Sequence, residues 1–463
     1  MPPKFGTSGL RGLVTELTPD LVADYTRAFL ASCAHGGAVH VGWDLRPSSP
    51  AIAEEVMGSI EQSGLSAIDC GALPTPALAL AAMGAGHAAI MVTGSHIPAD
   101  RNGLKFYTPA GEITKDDEAR ILSALGAAPG PGGGTRISGS QAGAAYQRRY
   151  TEAFGHAALS GLRVGVYEHS SVARDLLGVA LRAMGADVIA LARSDIFIPV
   201  DTEAVDAGTR TKLAEWCAQN RLDALVSTDG DADRPMLCDA SGKVVPGDVL
   251  GALTARALGA DVICTPVSSN TMIDAMPEFA RIARTRIGSP YVIAAMEEIL
   301  AANPAARICG YEANGGFLLG FAARGPAGVM APLMTRDCLL PIVAVLAAVR
   351  GAQRPVADLV AALPARFTAS DRIAGIEPEV SARFIADLRD DPSARAGFFT
   401  ENGAEASLDL TDGLRVRFED GAIVHLRPSG NAPEFRCYTE AATEAEAARL
   451  LQFYLAKLRT RLG

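Results

Sequence analysis

A chain of 463 residues is too long for one hydrophobic core and divides into about three or four domains, and 49% apolar residues are ample to fill them. A net charge of −10 with no long Lys/Arg run argues against nucleic-acid binding as the main activity, although a few convergent arginines can still build a positive cleft in an acidic protein. The longest apolar runs, such as residues 339–349, fall short of the roughly 20 residues that span a bilayer, and no basic segment followed by an apolar stretch opens the chain. The expectation is a soluble, cytoplasmic protein with no membrane partner. The eight cysteines contain no CxxC pair and read as reduced core residues, not as a zinc site or a disulfide framework.

In chain order, residues 19–33 and 50–63 carry helical patterns, and 38–43 and 88–92 are strand-like apolar runs. This alternation implies a mainly parallel sheet covered on both faces. The glycine- and proline-rich stretch 127–134 is a linker or exposed turn, followed by a helix over 141–154. The alternation then restarts: strand 162–167, helix 171–184, strand 187–191, helix 209–220, strand 223–228. A third unit holds strand 262–264, helix 291–302, strand 307–310 and a helix over 336–350. From residue 366 the pattern changes to strands 413–418 and 422–426 and a terminal helix 444–462. The reading is an α/β protein of three α/β units and one smaller α+β unit, divided as 1–140, 141–250, 251–365 and 366–463.

Each unit places one conspicuous polar loop directly after a strand-like run, where ligands bind in open parallel sheets. The first is Thr93-Gly94-Ser95-His96-Ile97-Pro98, in which Gly94 permits a sharp turn and the Ser95 hydroxyl is presented beside His96. The rival reading is an ordinary Ser/Thr/Gly turn; a serine hydrolase fits less well because the loop is not GxSxG. The second, Asp229-Gly230-Asp231-Ala232-Asp233-Arg234, has three carboxylates at alternate positions that can converge on one hard cation. An EF-hand fails on Arg234 at its sixth position and Ala240 at its twelfth, which leaves a solvated acidic turn as the rival. The third, Gly310-Tyr311-Glu312-Ala313-Asn314-Gly315-Gly316, suits contacts to vicinal sugar hydroxyls, or is a glycine turn capped by Asn314. The fourth, Arg427-Pro428-Ser429-Gly430-Asn431-Ala432-Pro433, is a candidate phosphate cradle, or a plain hairpin turn. Near the N-terminus, Phe5-Gly6-Thr7-Ser8-Gly9-Leu10-Arg11-Gly12 adds a glycine-flanked arginine.

Together, FGTSGLRG, TGSHIP, DGDADR, GYEANGG and RPSGNAP resemble the α-D-phosphohexomutase superfamily in order and spacing, over essentially the whole chain. The resemblance is nearest to its phosphomannomutases and phosphoglucomutases. It implies four domains around a central cleft, each supplying one loop. It implies that Ser95 carries a phosphate, that Mg²⁺ is held by Asp229, Asp231, Asp233 and that phosphate, and that Arg11 and Lys105 lie beside it. Lys105 resembles the family's general acid/base, with His96 assisting. Glu312 and Asn314 would hold sugar hydroxyls, and the stretch Arg427, Ser429, Gly430 and Asn431 the phosphate that is not reacting; Arg234 and Gly288 complete the expected substrate-binding set.

Phosphoryl transfer needs in-line positioning and neutralised charge, so the implied reaction runs through a bisphosphorylated sugar that turns end for end. Hexose phosphates, with hexose 1,6-bisphosphate as intermediate, are the expected partners of a monomer or homodimer, mannose 6-phosphate being the leading substrate. Glucose phosphate, or less readily glucosamine phosphate, is the alternative, and a non-catalytic sugar-phosphate binder is the alternative of another class. Asn314, Gly315 and Gly316 stand where dual-specificity mutases usually have serine, glycine and histidine, and the loop around Gly288 also departs from the common forms. Substrate preference is therefore not carried over from the resemblance.

Overall fold

A computed structural model of the chain describes residues 3–6, 9–428 and 434–462. Among these, an eight-stranded sheet runs in the order Lys4–Phe5, Leu10–Leu13, Arg101–Thr108, Ala88–Val92, Ala38–Trp43, Ser66–Ala72, Thr135–Ser138, with Gly111–Glu112 paired to Arg101–Thr108. The two strands expected from the alternating pattern, Ala38–Trp43 and Ala88–Val92, pair in parallel, and Ser66–Ala72 and Thr135–Ser138 extend the parallel part of the sheet. Arg101–Thr108, which no regular pattern announces, runs antiparallel between Ala88–Val92 and Leu10–Leu13. Its placement sets the site: Arg11 lies opposite Gly103, and Lys105 opposite Met91, two residues before the first polar loop begins at Thr93.

The second sheet orders Asp187–Arg193, Arg163–His169, Ala224–Thr228 and Pro235–Cys238, the last pair being an antiparallel hairpin whose loop is the aspartate triplet. The third orders Arg281–Thr285, Val262–Pro266, Ile308–Tyr311, Phe317–Leu319 and Leu333–Asp337. The fourth large sheet is antiparallel throughout, from Phe367–Ala374 through Glu434–Ala441, Ile423–Pro428 and Leu414–Phe418 to Glu405–Asp409. The change from parallel to antiparallel pairing after residue 366 is the α+β unit read from the sequence. Residues 127–134 hold no helix or strand, also as read.

Local chemistry fixes the helix starts. Pro19 occupies the first turn of Pro19–Ser32, where its missing N–H is harmless, and the Thr18 hydroxyl caps the Leu21 N–H. Asp206 caps Ala207–Asn220 by accepting from the Thr209 N–H. One expected helix begins later than its pattern: residues 336–350 read as helical, but Arg336 and Asp337 end the strand Leu333–Asp337 and the helix is Leu339–Ala352. The Asp337 carboxylate stops the strand because it accepts the N–H groups of Leu339 and Leu340, and Tyr146 and Tyr150 donate their hydroxyls to it from below. The helix of 171–184 likewise starts only at Arg174.

One continuous apolar core runs from Leu73 to Leu363 through all three α/β units, whereas residues 376–458 close around a separate core. The junction to the last unit is polar. Glu440 accepts from the Arg366 guanidinium and from the backbone N–H and hydroxyl of Thr271, and the Asn270 amide donates to the Arg366 carbonyl. The cysteines are free, as expected, and among the described residues no helix is long and apolar enough to cross a membrane.

In the last unit His425 is 1% exposed; its Nε2 donates to the Asp412 carbonyl at 2.5 Å and its Nδ1 has no partner. Burial pushes its pKa down from 6.5 to about 4, against the Asp412 contact. The folded chain therefore keeps this ring neutral where the unfolded chain protonates it. The associated stability is whole above pH 6.5 and falls as the pH drops from 6.5 toward 4, by on the order of 3 kcal/mol at the low end. Thermal unfolding across that range should show a steeper loss of Tm for the native chain than for His425→Gln, and equal slopes would contradict the assignment.

Candidate active site

Ser95 sits in the left-handed backbone region, at φ 53°, an unusual conformation for a non-glycine residue that needs support from its surroundings. The Thr93 hydroxyl supplies part of that support: it accepts the Ser95 N–H at 2.8 Å and donates to Asp44 at 2.7 Å. Arg46 supplies the rest. Its guanidinium donates to the carbonyls of Ser95, Ile97, Pro98 and Arg101 and to the Asp44 carboxylate, so one buried side chain fastens the whole loop. Gly94 is needed for this clamp more than for the turn, since a Cβ there would stand 2.6 Å from the Arg46 Cζ. The Ser95 hydroxyl is not presented to solvent as expected from the sequence. It is buried because the aspartate loop closes over it, and it donates to Asp229 Oδ2 at 2.7 Å.

That loop spans the hairpin between Ala224–Thr228 and Pro235–Cys238, with Ala232 forced to φ 58° at its tip. Asp229, Asp231 and Asp233 are all buried and can each offer a ligand oxygen within 4.8 Å of the others. The remaining oxygens are already used. Asp231 Oδ2 accepts from Lys105 Nζ at 2.6 Å and from the Thr75 hydroxyl at 2.8 Å, and Asp233 Oδ2 accepts from Lys105 at 2.5 Å. Asp231 Oδ1 and Asp233 Oδ1 are buried and accept nothing. Unpaired carboxylate oxygens of this kind fit a hard divalent cation, which the oxygen-only donor set favours. Burial, reinforced by Asp231 and Asp233, pushes the Asp229 carboxyl well above its usual range. Burial acts on Asp231 in the same sense, but the Lys105 ammonium overrides it and holds that carboxyl below the usual range.

The other candidates gather around this centre. Arg11 is half-buried on Leu10–Leu13, and burial lowers its pKa to about 10 against the pull of Asp231. His96 has Nδ1 3.4 Å from the Ser95 hydroxyl and Nε2 4.0 Å from Asp201 Oδ2; burial, then the Arg234 charge, lowers its pKa to about 3 and keeps the ring neutral. Arg234 lies 3.9 Å from both Asp229 and Asp233 and 4.0 Å from Asp201. Glu312 follows the strand Ile308–Tyr311 and is buried. Asn314 closes its own turn by accepting the Gly316 N–H at 2.9 Å, so what it offers a sugar is its amide donors. Gly288, at φ 130°, precedes the helix Ser289–Ala302, and the adjacent Ile287 N–H donates to Asp412 at 2.9 Å. Arg427 is the penultimate residue of Ile423–Pro428, with Nε 3.6 Å from the same Asp412. Ser429, Gly430 and Asn431, like Thr7 and Ser8, lie outside the described residues.

Residues 2–128 match the phosphoglucomutase/phosphomannomutase alpha/beta/alpha domain I, residues 246–367 the alpha/beta/alpha domain III, and residues 353–457 the C-terminal domain of the same family. A phosphomannomutase of Sinorhizobium fredii is 45% identical, covering 99% of both chains. The chain belongs to the phosphoglucomutase/phosphomannomutase family. A phosphomannomutase of Salmonella muenchen is 42% identical over 99% of this chain and 96% of its own. The crystal structure of a phosphoglucomutase/phosphomannomutase family protein from Burkholderia thailandensis shares the fold, with a TM-score of 0.77 at 20% identity over 98% of this chain and 97% of that one. The chain is thus a phosphohexomutase, an intramolecular phosphotransferase with the four-domain architecture of its family.

Several residues that shape this phosphohexomutase site escape a motif search. Arg46 sits outside the polar loops, and the pairing of Asp44 with Arg46 two residues later is the only local hint of it. The segment after Asp187–Arg193 reaches three loops: Phe197 lies 4.1 Å under the Arg46 guanidinium, Asp201 faces His96 and Arg234, and the Thr202 hydroxyl donates to the Asn314 carbonyl at 2.7 Å. Arg427 lies directly opposite Arg436 across the sheet, each with a carboxylate nearby, Asp412 Oδ1 3.6 Å from Arg427 Nε and Glu434 Oε2 3.5 Å from Arg436 Nη2. Arg336 is buried against Asp233, with Nη2 2.8 Å from Oδ2.

Gly230 is where the Ser95 and aspartate loops touch: a Cβ there would stand 2.8 Å from the Ser95 carbonyl oxygen and 3.0 Å from the Phe197 ring. Gly230→Ala should separate Ser95 from the aspartates and lower kcat by about a hundredfold, with a stability loss of roughly 1–3 kcal/mol. Steady-state kinetics beside a thermal melt checks this, and a variant of unchanged kcat would contradict it.

Proposed function

We propose that the protein interconverts hexose 6-phosphate and hexose 1-phosphate through a phosphorylated Ser95, with mannose 6-phosphate to mannose 1-phosphate as its principal reaction. The observation that carries this reading is the Ser95 hydroxyl bonded to Asp229 at 2.7 Å within a triad of buried carboxylates. A hydroxyl so held at a cation site suits phosphoryl relay, and a simple sugar-phosphate binder has no use for it. The mannose assignment is supported by the relatives named phosphomannomutase at 45% and 42% identity over nearly the whole chain. The working units are residues 1–140, 141–250, 251–365 and 366–463, contributing in turn the Ser95, aspartate, Glu312 and Arg427 loops.

Asp229, Asp231, Asp233 and the Ser95 oxygen would hold Mg²⁺, which when bound neutralises charge on the phosphoryl oxygens. The chain's own groups do the rest. A sugar hydroxyl attacks the phosphorus on Ser95, forming a new O–P bond as the Ser95 O–P bond breaks; the Lys105 ammonium gives a proton to the departing Ser95 oxygen and takes up the proton of the attacking hydroxyl in its place. Arg11 stabilises the charge spread over the transferring oxygens. His96, kept neutral by burial, offers an acceptor for the Ser95 proton when the second phosphate returns to it. Glu312 and Asn314 hold ring hydroxyls in both orientations of the bisphosphate. Arg427 and Arg436, with Ser429, Gly430 and Asn431, hold the phosphate that is not reacting, while Arg234 and Gly288 line its path.

Intact-mass analysis should show one phosphate on the protein after incubation with hexose 1,6-bisphosphate, and none on Ser95→Ala, whose mutase activity should fall at least about a thousandfold. Chelation should abolish activity and Mg²⁺ restore it. Coupled assays on mannose, glucose and glucosamine 6-phosphates test the substrate, and several-fold higher activity on glucosamine 6-phosphate would overturn the mannose assignment.

A further inference from the structure

Arg336 is the penultimate residue of the strand Leu333–Asp337 and is buried where three units meet. Its Nη2 lies 2.8 Å from Asp233 Oδ2, its Nε 3.9 Å from Glu112 Oε1, and its Nη1 3.8 Å from Glu312 Oε2. Glu112 is itself held, since the Ser289 hydroxyl donates to its Oε2 at 2.9 Å. The stem is held as well. It lies across Gly316, where a Cβ would stand 2.7 Å from the Arg336 Cδ and 2.8 Å from its Cγ. Glycine at 316 is therefore the condition for Arg336 to reach the site.

The contact with Glu312 is incomplete. At 3.8 Å, Nη1 and Oε2 are too far apart for a hydrogen bond, and Glu312 Oε2 is buried and accepts none. A donor and an acceptor at this separation are both within about 2.8 Å of a single oxygen placed between them. That oxygen has to donate to the carboxylate and accept from the guanidinium, and a hydroxyl does both.

We propose that Arg336 is a specificity-determining, substrate-binding residue that, with Glu312, reads one ring hydroxyl of the hexose as donor and acceptor at once. The inference rests on the hexose-phosphate reading above and extends it to a residue outside the four polar loops. Because the same guanidinium grips Asp233, the hydroxyl is read at a fixed position relative to the cation loop.

The test uses the full chain, as wild type, Arg336→Met and Arg336→Lys, with mannose 1-phosphate and its 3-deoxy and 4-deoxy analogues. In the wild type, one analogue should lose about tenfold or more in kcat/KM, the effect of removing a hydrogen bond to a charged group. Arg336→Met should lose as much on the parent sugar and discriminate little further against that analogue. Arg336→Lys, which keeps the charge without the planar fork, should recover stability but not the discrimination. Calorimetric binding of Mn²⁺ alone should be no weaker in Arg336→Met, because the charge removed is positive and next to Asp233. An active wild type whose discrimination survives Arg336→Met, one that tolerates both analogues, or loss of Mn²⁺ binding in that variant overturns this inference alone. A wild type that turns over no hexose phosphate overturns the mutase reading and this inference with it.

Discussion

Three buried carboxylates on one short hairpin loop set the terms for the rest of the molecule. Asp229, Asp231 and Asp233 are too close together and too dry to ionise without positive charge nearby, and their own loop brings only Arg234, whose guanidinium stays 3.9 Å from Asp229 and Asp233. The close cations come from elsewhere in the chain. Lys105 arrives from an inner strand of the first sheet and Arg336 from the edge strand of the third, and both converge on Asp233 Oδ2. The loop is thus a junction of three units by electrostatic necessity. The division of labour between its oxygens follows: the Oδ2 atoms of Asp231 and Asp233 are taken by the protein, and their Oδ1 atoms remain for a cation.

The apolar core is organised to match. A continuous core runs through the three units that share this junction, so Ser95, Lys105, the aspartates, Glu312 and Arg336 are carried on one packed body. The unit that carries Arg427 has its own core and joins the others through Glu440, Arg366 and Asn270 on one side and Asp412 on the other. Polar contacts are short-ranged and directional, where an apolar interface would be broad. The two ends of a bisphosphorylated sugar would therefore be gripped by parts of the protein held together in physically different ways, a rigid reacting end and a distal end on a polar seam.

Much of this was legible in the sequence because apolar strands interrupted by polar loops are the form chemistry takes in an open α/β sheet. Ser95, the aspartate triplet, Glu312 and Arg427 all follow strand-like runs, and the structure brings the first three together. Lys105 was recoverable only through the family resemblance, because RNGLKFYT has no strand alternation: its strand is buried on both faces from Asn102 to Tyr107. Arg336 was misread as part of a helix because the apolar run after it continues to Val349, and nothing local shows that Asp337 turns the chain with a carboxylate cap. Arg46 and Asp201 act on loops distant in sequence, through contacts that periodicity does not encode.

Two glycines in these loops, Gly94 and Gly316, share an explanation other than the sharp turn expected at Gly94. Gly94 and Gly316 both have ordinary backbone angles, so neither is needed for a left-handed turn. Each instead clears the space that an arginine from another strand or loop occupies, Arg46 against Gly94 and Arg336 against Gly316. In both places the arginine's rigid fork then ties the functional loop to its neighbours, the first to the Ser95 backbone and the second to Asp233. A side chain at either glycine would have to displace a buried guanidinium and leave its carboxylate partner uncompensated, which costs more than the lost packing alone. The small residue in the motif and the large cation outside it therefore form one unit: substituting the glycine at 94 or 316 is, in physical terms, a substitution of the arginine it accommodates.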